Sequence, residues 1–175
     1  MKYNIKVIII ILLIIPFLGC RSYRIKNDVL KVVGKHMVFP QTWELYHNGE
    51  SQQIILPNSP MIVITSGMSD CNICDIMKLK EWYNMFSNCN ILFIAYTVID
   101  KKIRSAAMAD RNDVYVMLTE DPLFENELKQ LHPINVFLID GNGEILLVGD
   151  PIGNPQLLEL YRRTIINLNA NNGIL

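Results

Sequence analysis

Residues 69–76 read "SDCNICDI". Cys71 and Cys74 stand two residues apart with Asp70 and Asp75 on their outer sides. Two thiols at this spacing suit four kinds of chemistry: a redox dithiol, half of a zinc site, a copper clamp, or a structural disulfide. Zinc wants four ligands, usually from two such pairs. This chain has one pair, so zinc would have to recruit Cys89 and a histidine. Two thiolates and one histidine can hold copper. His132, with Met68 nearby, is the candidate that could face the pair.

The other cysteines bear on the choice. The chain opens "MKYNIKVIIIILLIIPFLGC". Lys2 and Lys6 precede an apolar run from Val7 to Leu18, too short to span a bilayer and right for the core of a signal peptide. Phe17-Leu18-Gly19-Cys20 resembles the lipobox of bacterial lipoproteins. That resemblance implies cleavage after Gly19, a lipid on Cys20, and a bacterial cell-envelope address, lipid-anchored and facing the periplasm. Disulfides persist in exported proteins. Three thiols cannot all pair, so a Cys71–Cys74 bond with Cys89 left over is the simplest account. Cys89, between a helix end and a strand, reads as a small buried hydrophobe.

Composition narrows the classes. Removing residues 1–19 takes away two lysines and no acids, moving the net charge from −1 to −3. No basic stretch carries interleaved aromatics, so nucleic acid is not an expected partner. The remaining length suits one domain with a real core.

The dithiol needs elements to position it. "PMIVITSG" before it is a continuous β-branched run, as in a strand buried on both faces. After it, Ile76, Leu79, Tyr83 and Phe86 mark one face of a helix. Ser69 or Asp70 is placed to cap that helix. The cysteines therefore stand at a strand-to-helix junction, in the first turn. Strands follow at 91–99, 114–120 and 134–140, and helices at "KKIRSAAMADR" and "DPLFENELKQL". "GNG" turns the chain into "EILLVG" as an antiparallel partner. Asn154-Pro155 starts a last helix striped by Leu157, Tyr161, Ile165 and Leu168, and "NANNGIL" frays. Upstream, a brief helix over Val29–Val33 ends at Gly34, "KHMVFP" is extended, residues 41–51 read as loop, and "SQQIILP" reads as a strand. Trp43 and Trp82 read as packing. His36 and His47 show no partner. Strands alternating with helices imply an α/β fold with a partly parallel sheet covered on both faces.

"MIVITSGMSDCNIC", "VFLIDGNGEILLVGDP" and "NPQLLELYRRT" together resemble the thioredoxin-like superfamily, and most closely its exported, membrane-anchored thiol–disulfide branch. The resemblance implies a central mixed sheet with helices on both faces. It gives three parts: a signal peptide at 1–19, a lipidated tether and extension at 20–55, and a thioredoxin-like domain at 56–170. It implies catalytic Cys71 and Cys74, a substrate-facing proline at Pro133, no cofactor and no metal, and protein thiols or disulfides of the cell envelope as partners. There are departures. Asp70 replaces the tryptophan usual before the first cysteine, and Ile73 the proline often found before the second. Pro133 is one residue further from Asp140 than the family's cis-proline. No buried acidic base is identifiable.

In such a pair the helix terminus favours a thiolate on the first cysteine. Cys71 would attack a substrate disulfide, and Cys74, one turn inward, would resolve the mixed disulfide. Asp70 and Asp75 oppose the thiolate by charge. The balance is a near-ordinary thiol, which suits a reductant or isomerase better than a disulfide donor. The alternatives on the same fold are a copper-binding module and a non-catalytic adaptor. The family's copper carriers usually separate their cysteines by three residues rather than two.

Overall fold

The computed structural model describes residues 29–52, 58–67, 70–109, 114–131 and 134–171. Cys20, the signal-like segment, Met68, Ser69, His132 and Pro133 lie outside these residues, as does most of "SQQIILP". Residues 29–33 belong to a first unit and 34–171 to a second. In the first, residues 29–32 make a helical turn, with the Val33 N–H donating to Val29 O at 3.1 Å. Gly34 then takes a left-handed φ of 83°.

The second unit is built on seven strands. They are β1 (Glu44–His47), β2 (Glu50–Gln52), β3 (Met61–Ser66), β4 (Asn90–Tyr96), β5 (Val114–Thr119), β6 (Val136–Ile139) and β7 (Ile145–Val148). The helices are α1 (Asn72–Met85), α2 (Lys101–Ala109), α3 (Pro122–Leu131) and α4 (Pro155–Asn171). The strand order is β2-β1-β5-β4-β3-β6-β7. β3, β4 and β5 are parallel, and all other pairings are antiparallel. The mixed α/β sheet read from the sequence is the one observed.

Every residue of β3 is buried, as its continuous apolar run requires. Ile62 and Ile64 face a cluster with Phe93, Val116 and Leu138, closed by Ile76, Leu79, Trp82 and Phe86 of α1 and Tyr161 and Ile165 of α4. The alternate residues, Val63, Leu92, Ile94, Met117 and Phe137, turn to the opposite face by the pleat and are also buried. Phe124 of α3 is buried outside the first cluster. Both faces of the sheet are covered.

The segment expected as loop at 41–51 is instead the β1–β2 hairpin. Leu45 and Tyr46 are buried, and β1 pairs with β5 from Glu44↔Leu118 to His47↔Tyr115. Asn48 and Gly49 turn it with φ of 52° and 74°. Two positive φ angles in a two-residue loop match the right-handed twist of the strands, which is why Asn-Gly is favoured there. The stretch before it is a strap. Gly34 N–H and Met37 N–H donate to Ile145 O and Gly143 O at 2.8 Å. Gln41 N–H donates to Asp121 Oδ2 at 2.8 Å, and Thr42 O accepts from the Thr119 hydroxyl at 2.6 Å. The last helix does not fray at Asn169. It runs to Asn171, and the buried Asn169 side chain donates to Asn88 O at 2.9 Å. Trp82 packs as expected, but Trp43 is 50% exposed at the entrance to β1. His47 has a partner after all, its ring stacked on Tyr115 with centroids 4.1 Å apart.

Candidate active site

β3 delivers the chain to Gly67 at the carboxyl end of the parallel strands, and α1 starts five residues later. Cys71 is the N-cap of α1 and Cys74 lies in its first turn. The two are joined in a disulfide, with Cα atoms 5.2 Å apart. The first N–H groups of a helix have no carbonyl within the helix to bond, so they gather a partial positive charge around this pair.

β3 and β4 run parallel with α1 between them, β6 and β7 lie antiparallel on the other side of β3, and α4 closes the chain. The dithiol heads the helix after β3, an interior strand flanked by β4 and β6. The fold is thioredoxin-like.

Within this thioredoxin-like frame the first turn departs from expectation. No side chain caps α1. Asp70, expected as a cap, turns its carboxylate back to accept the Gly67 N–H at 2.7 Å. Cys74, expected one turn inward and shielded, is exposed, as Cys71 is. Asn72 takes the inward position at 6% exposure. The hydroxyl of Ser66, buried at the end of β3, donates to Asn72 Oδ1 at 2.6 Å and lies 3.2 Å from Asp75 Oδ2. This polar knot fixes the phase of the first turn. With Ser66 and Asn72 inside, both sulfurs are left on the solvent side. The stripe carried the signal: four residues back from Ile76 and Leu79 fall Asn72 and Asp75, not the cysteines.

A groove of about 580 Å³ opens beside Cys71. Its floor includes Leu79, Trp82 and Phe93, and its rim carries Asp70, Asp75, Lys78 and Asp150. The loop bearing Asp150 is fixed from two sides. Gly149 N–H donates to Val136 O at 2.8 Å, and the Tyr161 hydroxyl donates to Gly149 O at 3.0 Å. Asp150 Oδ1 itself accepts the Ile152 N–H at 2.8 Å.

Cys89 is remote from this site. It precedes Asn90, which pairs with Met61 at the start of β3, whereas Cys71 follows the end of β3. The six-residue strand puts roughly 17 Å between those ends. Cys89 Sγ lies 3.5 Å from Pro60 O and Asn90 O. Burial pushes its thiol up to about 12. Among the described residues, no three His, Cys, Asp or Glu side chains come together as a metal site.

No protein-family model matches the chain, and no curated protein matches it. Several solved structures resemble it loosely. The thioredoxin domain of a thiol-disulfide oxidoreductase from Bacteroides vulgatus is 14% identical, with 74% of this chain and 99% of that one covered and a TM-score of 0.46. A thioredoxin-like protein from Porphyromonas gingivalis is 18% identical, covering 77% and 94%, with a TM-score of 0.43. A candidate protein disulfide isomerase from Bacteroides thetaiotaomicron is 14% identical, covering 81% and 94%, with a TM-score of 0.49. The thioredoxin-like assignment rests on strand order and dithiol placement, not on these likenesses.

Proposed function

We propose that the chain is an exported, lipid-anchored thiol–disulfide oxidoreductase of the reductant or isomerase type. The observation that carries the redox reading is the exposed Cys71–Cys74 disulfide at the head of α1, opening on a groove. In the reduced protein a Cys71 thiolate attacks one sulfur of a substrate disulfide, and the other substrate sulfur leaves as a thiolate. Cys74 then attacks the Cys71 sulfur, freeing the second substrate thiol and reforming the 71–74 bond. Two electrons pass to the substrate. The two protons of the spent dithiol end on the substrate thiols, and a dithiol donor in the envelope resets the pair. Cys71 is assigned as attacker because it is the N-cap, where the first-turn amides stabilise a thiolate. The lipid anchor is read from Gly19-Cys20 and the short apolar run before it.

Intact mass after thiol-specific alkylation, across a series of dithiol/disulfide buffers, tests the reading. The folded protein is expected to gain two labels reversibly at a moderate potential. A 71–74 bond that resists reduction until the protein unfolds would make it structural and overturn the proposal.

A further inference from the structure

We propose that the groove beside Cys71 selects polypeptide disulfides in which the attacked cysteine has a basic neighbour and an apolar one. The inference rests on the oxidoreductase reading and names the substrate class of that same site. Exchange at Cys71 lays the residues flanking a substrate cysteine along the groove. Leu79, Trp82 and Phe93 give it an apolar floor. Three carboxylates stand on its rim against the single ammonium of Lys78.

Two of the carboxylates are held by neutral donors that leave their charge intact, Asp70 by Gly67 N–H and Asp150 by Ile152 N–H, while Asp75 Oδ2 lies 3.2 Å from the Ser66 hydroxyl, whose proton goes to Asn72. Among the described residues, none of the three has a cationic partner; the ion pairs are at Glu44, Glu125 and Glu159. Three carboxylates against one ammonium give the groove lining a net negative charge, which an entering basic side chain complements. Thr65 and Asn135, at the end of β3 and the start of β6, also line the groove.

The test compares the reduced protein on two disulfide-linked peptides, identical except for Lys-Leu or Glu-Leu beside the cysteine. Neutral 2-hydroxyethyl disulfide serves as the reference. The lysine peptide is expected to react about tenfold faster at low salt, with the gap closing by about 0.5 M NaCl as screening sets in. Asp150→Asn should narrow the ratio and Asp150→Lys should bring it to about one or invert it. Glu81→Gln, on α1 away from the groove, should leave the ratio in place. Equal rates for the two peptides, or a ratio that Asp150→Lys does not move, would overturn the groove inference while the reference disulfide is still reduced. Failure to reduce the reference disulfide as well would overturn the oxidoreductase reading and this inference with it.

Discussion

Ser66 at the end of β3 and Asn72 in the first turn of α1 are joined through the serine hydroxyl at 2.6 Å, and both are buried. The bond ties the strand that leads into the site to the helix that carries it. Ser66→Ala leaves the Asn72 amide buried without its partner. That is expected to cost about 1–3 kcal/mol, measured as a shift in urea midpoint. Adding Asn72→Ala should cost less than the sum of the two single changes, because the interaction is already gone. A Ser66→Ala protein within about 0.3 kcal/mol of wild type would mean the knot does not hold the turn.

The same knot alters what the two sulfurs should do. Shielding does not separate Cys71 from Cys74, since both are exposed. Only the helix terminus does. Substoichiometric iodoacetamide on the reduced protein, read by peptide mass, should label Cys71 first by about threefold or more, with Cys74 labelled as well. On non-reducing gels Cys74→Ser should trap more partner than Cys71→Ser, but the latter should trap some. Faster labelling of Cys74 would reverse the assigned roles.

Cys89 gives a pH signature. Burial holds its thiol at about 12 in the folded chain, against an ordinary 9.0. Folding therefore keeps a proton that the unfolded chain releases. The associated stability is intact below about pH 9 and is lost as pH climbs towards 12, by at most about 1.4 kcal/mol per unit. Tyr46, raised to about 12 chiefly by burial, loses stability over the alkaline part of the same range. Cys89→Ala should make the fall in Tm from pH 9 to pH 11 shallower without abolishing it. An unchanged slope would show that the thiol does not titrate as its burial implies.

The proposed lipid anchor has its own test. Cys20→Ser should abolish labelling by a clickable fatty acid in the native host and leave the precursor uncut. Undiminished label in that variant would end the lipoprotein reading.

Much of this architecture was legible in the sequence because burial on both faces leaves continuous apolar runs. β3 and β5 fall inside the stretches read at 60–67 and 114–120, and β4 (Asn90–Tyr96) overlaps the one read at 91–99. β1 escaped that logic. Only Leu45 and Tyr46 of its four residues are buried, too few to set a period. The Asn48-Gly49 pair was the available signal, since it is the two-residue turn that twisted hairpins favour. The position of the dithiol at the head of α1 was readable from the strand before it and the stripe after it. Cys71 was read as exposed, and it is; Cys74 was read as turned inward, and it is exposed. The apolar stripe carried back one turn from Ile76 points Asn72 inward rather than Cys74, and the Ser66–Asn72 bond holds that phase.

The strap ahead of β1 also defines a load path. A pull on the N-terminal side of Gly34 first meets the hydrogen bonds of Gly34, Lys35 and Met37 to the β6–β7 turn and strand β7, then those of Gln41 and Thr42 beside β5. None of these bonds involves α1 or residues 67–75. Tension applied there would be spent on these bonds, and the dithiol would keep its geometry while the chain is drawn taut.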